Sequence, residues 1–239
     1  MKSVAVKKLL VLAAAAAALG SGVPEAQAAN ECEGLMVCVP VAGPWVVVPT
    51  TPTVPRPLAR YQVTCPRGYL VGGTDAELSN PAIDVTFVAR LGSPVNPGVS
   101  TERSALFTAI FTGNRGRVAS FRPHIGCIPA AGGGGRIPTA VGAIVPPGPP
   151  AVRRVRTLRV RAGDTASVSQ RCAGGERLVD LWHAVGFFTR QPPTAATVAS
   201  VRATRRLRGG RVAASAAATI ALGRRHAVVQ VGAVCGGAP

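Results

Sequence analysis

The sequence predicts an all-β protein of two tandem modules, each a small β-sandwich or a partly closed barrel. Valine, glycine and proline are frequent, and short alternating segments lie between Gly- and Pro-containing turns. Two segments that begin and end with cysteine, Cys65–Cys127 and Cys172–Cys235, have nearly equal lengths. Each opens with a Cys-x-x-Gly step and closes on an apolar, Gly-containing run. We interpret them as one duplicated module, in which a disulfide joins the first strand to the last.

The first 28 residues have the features of a secretory signal peptide. A lysine-containing start precedes an apolar run over Leu9–Leu19, and Ala26-Gln27-Ala28 offers an A-x-A cleavage site. The run is shorter than the roughly 20 apolar residues that span a bilayer, and no second long apolar run follows. We therefore expect an exported protein, secreted or held in the cell envelope, without a transmembrane segment after cleavage.

The cysteine pattern predicts disulfides. The chain has 6 cysteines, all after the predicted signal, and an even number in an oxidising compartment indicates bridges. The similarity of the two long segments favours Cys65–Cys127 and Cys172–Cys235, which leaves Cys32–Cys38 as a small local loop. A metal site is not expected, because no close Cys pair faces another close Cys or His pair at zinc spacing. We predict no cofactor.

The charge of the chain is strongly basic and unevenly distributed. The formal net charge is +17, and all three lysines lie within the predicted signal. Residues 29–135 hold 8 Arg and 6 acidic residues, whereas residues 136–239 hold 16 Arg and 3 acidic residues. One interpretation is a basic surface for an anionic partner. The alternative is a GC-rich genome, which favours Arg over Lys but does not explain why the charge lies in one half.

The arginines of the second half form two clusters in the sequence. The residues predicted to bind anions are Arg153, Arg154, Arg156, Arg159, Arg161, Arg202, Arg205, Arg206, Arg208 and Arg211. Planar guanidinium groups that converge on one face match carboxylate and phosphate oxygens, so we expect an anionic cell-wall polymer or lipid headgroups as partner. Nucleic acid is disfavoured, because aromatic residues for base stacking are scarce and Trp182, Phe187 and Phe188 are expected in the core. The alternative is that outward arginines only prevent edge pairing of strands.

The first half begins with a Pro-rich lead at residues 29–57, in which Trp45–Val48 is predicted to form a short strand. Module one spans residues 58–129. Its predicted strands are Arg60–Cys65, Ile83–Leu91, Ala105–Thr112 and Arg117–Cys127. The pair Gly72-Gly73 predicts a bulge or a close backbone approach, and Pro123 predicts an edge position or a bulge for the last strand.

A Gly- and Pro-containing linker at residues 130–151 leads into module two, at residues 152–239. Its predicted strands are Val155–Arg161, Ala166–Cys172, Trp182–Thr189, Thr197–Leu207, Arg211–Leu222 and His226–Cys235. Ala213–Ala221 has helical propensity because it is Ala-rich, but Thr219-Ile220 and the repeat favour a strand, which we predict. The segment Arg177-Leu178-Val179 matches Tyr69-Leu70-Val71 with a shift of one residue.

The pattern Cys65-Pro66-x-Gly68-x-x-Val71-x-Gly73, followed by a Cys at the end of an apolar strand, resembles a module of secreted bacterial proteins. The general pattern of that module is Cys-Pro-x-Gly, then Gly-Gly, then Cys, in a compact β fold. The match covers residues 60–130, and residues 166–237 depart from it at the proline and at the double glycine. The resemblance implies the fold and export, and it implies no activity.

Candidate catalytic residues are few. The histidines are His124, His183 and His226, and we expect them at the surface or at strand ends. Asp180 precedes His183 by three residues, but no Gly-x-Ser-x-Gly motif supplies a nucleophile. Asp75 and Glu77 would share a strand face, as a glycosidase pair could, and we expect them to be solvated instead.

These observations favour a non-enzymatic, secreted structural or adhesive protein of the cell envelope, whose Arg-rich surface binds anionic polymers. The alternative is a secreted hydrolase with a site between the two modules. A deep cleft where His183 or His124 meets a carboxylate would favour the hydrolase. Flat faces with rows of arginines would favour binding.

Overall fold

The computed structural model describes residues 30–88, 103–113, 118–130 and 152–236. These ranges form antiparallel β-strands, one short α-helix and one 3-10 turn, which confirms the all-β class. The predicted signal at residues 1–28 and the predicted linker, apart from Ala130, lie outside the described residues. The elements are β1 Val39–Ala42, β2 Trp45–Val48, β3 Leu58–Thr64, β4 Tyr69–Leu78, β5 Ile83–Val88, β6 Ser104–Phe111, β7 Ala119–Pro129, β8 Val152–Val160, β9 Thr165–Arg171, β10 Arg177–Phe188, α1 Ala195–Ala199, β11 Val201–Arg208, β12 Arg211–Ala218, the 3-10 turn Ile220–Leu222 and β13 His226–Gly236.

A seven-stranded antiparallel sheet runs through both halves of the chain. Its strands follow the order β4, β7, then β1 and β2 end to end, then β10, β13 and β8. The halves join where Trp45 and Val46 of β2 pair with Phe187 and Gly186 of β10. Two three-stranded sheets complete the described fold, β3-β6-β5 from the first half and β9-β12-β11 from the second.

Two hydrophobic cores lie on opposite faces of this central sheet. Val46 of β2 belongs to the first core, whereas its neighbour Val47 packs against the second. Val228 and Val229 of β13 divide in the same way. Because successive side chains of a strand point to opposite faces, the β3-β6-β5 sheet covers one face and the β9-β12-β11 sheet covers the other. The strands therefore form three layers that share the central sheet.

The two halves have the same register feature near their long disulfides. Val71 of β4 pairs with Cys127, and Leu178 of β10 pairs with Cys235. In each strand a bulge leaves the next residue, Gly72 or Val179, unpaired. The bulge predicted at Gly72-Gly73 is confirmed. Leu178 therefore takes the position of Val71, at the same separation from the first cysteine of its half. The shift of one residue predicted between the segments at Tyr69 and at Arg177 is wrong.

The disulfides are Cys32–Cys38, Cys65–Cys127 and Cys172–Cys235, the pairing that the spacing predicts. The first cysteine of each long bridge directly follows β3 or β9, and the second lies in β7 or β13. β3 pairs with β6, and β9 pairs with β12. Each long bridge therefore ties a three-stranded sheet to the central sheet.

The strand β7 lies inside the central sheet, with β4 on one side and β1 and β2 on the other. Pro123 pairs with Ala76 of β4 in regular register, so neither the edge position nor the bulge predicted from this proline occurs there. Pro123 faces the junction between β1 and β2, where its carbonyl accepts a hydrogen bond from the Gly43 N–H at 2.8 Å. Proline has no N–H, so it cannot donate to the Gly43 carbonyl in exchange. The Arg122 Nε donates to this carbonyl oxygen at 3.2 Å instead.

The predicted strand over Thr197–Leu207 begins later than expected, because a helical turn precedes it. The side-chain oxygen of Thr194 accepts from the Thr197 N–H and caps the helix α1. β11 begins only after this helix. The Ala-rich stretch forms β12, so the strand predicted there is confirmed, although it ends before the 3-10 turn.

A glutamine from the second half holds the edge of β3. The side-chain oxygen of Gln230 accepts from the Gln62 N–H at 2.7 Å, and its nitrogen donates to the Gln62 carbonyl at 3.0 Å. The same nitrogen lies 3.2 Å from the Thr157 hydroxyl, and Gln230 is only 2% exposed. Arg60 of β3 also forms an ion pair with Asp180 of β10. The halves are thus bonded to each other across the first core.

Candidate functional site

The outer face of the β9-β12-β11 sheet carries most arginines of the sequence cluster between Arg202 and Arg211. On β12, Val212 and Ala214 point into the second core, so the alternate residues point outward. On β11, Val201 and Ala203 point inward, which turns their even-numbered neighbours outward. The outward arginines of the sheet are Arg171, Arg202, Arg206, Arg208 and Arg211, and all are exposed.

Three of these arginines form a row across the strands. Arg208 of β11 pairs with Arg211 of β12, which pairs with Arg171 of β9. Side chains directly opposite each other on neighbouring strands have Cβ atoms about 5 Å apart, and like charges in such positions destabilise a sheet. We call Arg171, Arg211 and Arg208 the arginine row.

The arginine row borders a depression of about 330 Å³. Arg171 and Arg211 line it together with Arg156 of the edge strand β8 and with Ser169 and Gln170 of β9. Neither these three arginines nor Arg208 forms an ion pair with another described residue. Guanidinium, hydroxyl and amide donors therefore meet in one place, which suits an anion with several oxygens.

The acidic residues of the second half are bound to other groups. Glu176 accepts from Arg154 Nε at 3.0 Å and from Arg154 Nη2 at 2.6 Å. The hydrogen bonds from Arg154 are the main reason that the pKa of Glu176 is below its usual range. Asp180 pairs with Arg60, and Asp164 accepts a backbone N–H of its own turn at 2.9 Å. The arginine row therefore keeps its charge without a carboxylate partner in the described parts of the chain.

The structure brings together only some of the predicted arginines. Arg156, Arg202, Arg206, Arg208 and Arg211 lie on or beside the outer face. Arg154 is paired with Glu176, Arg153 donates to the Val88 carbonyl at 2.7 Å, Arg205 lines a cavity, and Arg161 is exposed at the end of β8. Arg159 lies near Tyr61, whose pKa burial raises to about 12 while Arg159 opposes the shift.

Sequence reasoning missed Arg171, which stands alone in the sequence. The alternation of β9 could have indicated that it points outward. Its place beside Arg211 depends on the register between β9 and β12, which are far apart along the chain. Of the aromatic residues expected in the core, Trp182 and Phe187 are buried, whereas Phe188 is 46% exposed.

A larger cavity lies between the halves, where the alternative hypothesis places a hydrolase site. Its volume is about 560 Å³, and its walls come from β2 and β3 on one side and from β10 and β11 on the other. His183 lines it, and burial, together with the nearby Arg205, lowers the pKa of this histidine. No carboxylate, hydroxyl or thiol side chain belongs to its described lining. Asp180 is held by Arg60 instead of His183.

His124 is buried, at 6% exposure, so the prediction of a surface or strand-end position is wrong. Its Nε2 lies 2.9 Å from Glu77 Oε1, and its Nδ1 lies 3.5 Å from Glu31 Oε1. The loop that carries Glu31 packs so closely that a Cβ atom at Gly73 or Gly126 would collide with the Glu31 carbonyl oxygen. Because the two carboxylates approach opposite nitrogens, they fix the imidazole and the loop in place.

Asp75 and Glu77 are engaged in structural contacts, and Glu77, with 15% of its side chain exposed, is less solvated than expected. The Asp75 carboxylate accepts from the Asn30 N–H at 2.7 Å. Glu77 contacts His124 and lies 3.7 Å from Arg122 Nη1. Both carboxylates therefore hold the N-terminal loop and β7, and neither is paired with the other across a cleft.

One compact group of metal-ligand side chains occurs in the described ranges, formed by Cys172, Glu176 and Cys235. The two sulfurs form a disulfide, and the carboxylate binds Arg154. These atoms are therefore already occupied by protein bonds.

The fold contains no described helix that is long and apolar enough to cross a bilayer. Its three disulfides are typical of extracellular proteins. Comparisons with protein-family models, with curated proteins and with solved structures found no match.

Proposed function

We propose that the protein is a secreted, non-enzymatic structural or adhesive protein of the cell envelope that binds an anionic polymer. The arginine row carries this proposal. Three arginines lie side by side without a carboxylate partner, and this arrangement costs the folded state free energy. A polyanion laid across the row would remove the repulsion and gain planar, charge-assisted hydrogen bonds.

The composition of the surrounding face supports a polymer ligand. The residues exposed beside the row on β9 and β12 are small, among them Ser167, Ser215 and Ala217. The guanidinium groups therefore stand above small side chains, which leave room for an extended chain along the face. No aromatic residue occurs in β9, β11 or β12, so the face offers no base stacking. This composition favours an anionic wall polymer over nucleic acid.

The lining of the cavity between the halves supports binding over hydrolysis. A hydrolase of the Ser-His-Asp type needs a nucleophile within hydrogen-bond reach of its histidine. The described lining around His183 consists of apolar side chains and arginines. We therefore retain the binding function as the proposal.

Retention of the full chain on immobilised polygalacturonate, a linear polyanion, tests this function in a salt gradient. The variant R171Q/R208Q/R211Q should elute at clearly lower salt than the native protein, because three guanidinium contacts are lost. The variant R190Q/R224Q/R225Q removes the same charge at exposed positions outside the three strands and should elute close to the native protein.

Equal elution of the two triple variants would show that net charge alone causes retention, and the proposal would then be wrong. Flotation with vesicles of equal parts phosphatidylglycerol and phosphatidylcholine distinguishes a lipid partner. Binding to these vesicles without retention on the polymer would replace the wall polymer with lipid headgroups.

A further inference from the structure

The cavity between the halves has the size and lining of a ligand site. Its volume of about 560 Å³ lies in the usual range for small-molecule sites. Most of its wall is apolar, with Val47 and Leu58 from the first half and Leu181, Val185, Val201 and Ala203 from the second. Both halves supply these residues, so the cavity exists only in the joined molecule.

The walls of the cavity are held by specific bonds. β3 is fixed along its edge by Gln230, and the Arg60–Asp180 ion pair links β3 to β10 beside the cavity. The pairing of β2 with β10 holds the second strand of the same wall. Because these contacts hold the strands of both walls in place, the cavity has a defined shape.

The polar groups of the lining have an unbalanced charge. Arg60 is neutralised by Asp180, whereas Arg205 is exposed and forms no ion pair with a described residue. His183 is half-buried, and burial together with Arg205 lowers its pKa. The neutral imidazole is therefore favoured, and it can donate one N–H. Arg205 is therefore the cationic side chain of the described lining that has no acidic partner, and an anionic group in the cavity would supply one.

We propose that this cavity binds an amphiphilic carboxylate, a molecule with a hydrocarbon body and one anionic head. The apolar walls contact the hydrocarbon body, and the guanidinium group of Arg205 pairs with the carboxylate. Arg205 points to the cavity side of β11, opposite the outward Arg206. The site is therefore separate from the arginine row and does not depend on polymer binding.

Isothermal titration calorimetry of the full chain with dodecanoate, kept below its critical micelle concentration, tests the proposal. We expect saturable binding of one dodecanoate per chain and weaker binding of dodecanol, which has the same body without the charge. R205Q should weaken dodecanoate binding about tenfold, because one charge-assisted contact is lost. R206Q removes the same charge from the opposite face of the same strand and should leave the affinity nearly unchanged.

A second pair of variants tests the place of the hydrocarbon body. Ala203→Phe fills the cavity and should abolish binding, whereas Ala217→Phe adds the same side chain to the outer face of β12 and should not. Circular dichroism checks that each variant is folded. If Ala203→Phe does not fold, the exposed pair R205Q and R206Q decides the question. Absence of saturable binding, equal affinity for dodecanol, or equal losses in R205Q and R206Q would overturn the proposal.

Discussion

Single polar side chains decide how the halves of this protein meet. The amide of Gln230 has a donor and an acceptor in the spacing of a peptide group, so it pairs with both backbone atoms of Gln62. Gln230 lies in an otherwise apolar strand, where an unpaired amide would be costly. Its burial is favourable only because β3 presents a free edge to it.

Gln230→Leu should lower the free energy of unfolding by about 2 kcal/mol, because the Gln62 N–H and carbonyl lose their partners in a partly buried position. Gln191→Leu, at an exposed glutamine, should change it by less than about 0.5 kcal/mol. Urea unfolding followed by circular dichroism measures both values. Equal effects of the two substitutions would contradict the role of Gln230 as an edge partner.

The ion pair of Glu176 with Arg154 makes stability depend on pH. A carboxyl group whose pKa is lowered by folding contributes stability above its ordinary pKa, and this contribution is lost as the pH falls through the folded-state value. Glu176→Gln should therefore be less stable than the native protein at pH 7 and equally stable in strong acid. Thermal unfolding across this pH range measures the difference, with Glu33→Gln as the exposed control. A constant difference at all pH values would contradict the assignment.

At the level of elements, close backbone approach positions the N-terminal loop. The loop between Asn30 and Cys38 lies against β4 and β7, where Gly73 and Gly126 leave room for the Glu31 carbonyl. Glycine is needed at these positions for space, since neither has a left-handed backbone. The short disulfide and the contacts of Glu31 with His124 then hold the loop.

Gly126→Ala should destabilise the protein by about 1–3 kcal/mol, because the new methyl group would overlap the Glu31 carbonyl and the Cys38 sulfur. Gly174→Ala is the matched control, since its Cβ would meet no atom within 4 Å. Limited proteolysis of the N-terminal loop, together with urea unfolding, gives the measurement. A protected loop and unchanged stability in Gly126→Ala would refute the steric argument.

The disulfides should differ in their contribution to stability. Cys65–Cys127 closes a separation of 62 residues, whereas Cys32–Cys38 closes one of 6. Loop entropy predicts a loss of about 4 kcal/mol for C65A/C127A and about 2 kcal/mol for C32A/C38A. Chemical denaturation under non-reducing conditions compares the two variants. The reverse order would show that entropy of the unfolded chain does not control their effect.

The whole molecule is organised around one sheet that belongs to both halves. The central sheet would have two new edges if the halves separated, because β2 and β10 pair directly. The cavity and the bond between Gln230 and Gln62 would be lost as well. The two halves should therefore unfold together.

The two tryptophans provide a probe of this cooperativity, since Trp45 lies in the first half and Trp182 in the second, both buried. Trp45→Phe leaves a reporter in the second half, and Trp182→Phe leaves one in the first. Fluorescence and circular dichroism of each variant should give one coincident unfolding transition. Separate midpoints for fluorescence and circular dichroism within one variant would indicate independent modules.

Much of the fold could be predicted because local signals agree with it. Alternation identified most strands, Gly72-Gly73 identified a bulge, and cysteine spacing identified the disulfides. The errors at Pro123 and His124 have a common cause. A proline in a strand usually lies at an edge, and a histidine is usually exposed. In this fold, contacts with residues distant in the sequence hold both residues inside the sheet. Of the candidate site, the arginine excess was visible, but Arg171 was not.

The sequence by itself determined the all-β class, the disulfide pairing and the basic character of the second half, because these depend on composition, alternation and spacing. Only the tertiary structure decided the shared central sheet, the arginine row and the cavity between the halves. Strand register brings together residues that are far apart along the chain, such as Arg171 and Arg211. One residue of slip would turn every side chain to the other face, so no local pattern specifies these sites.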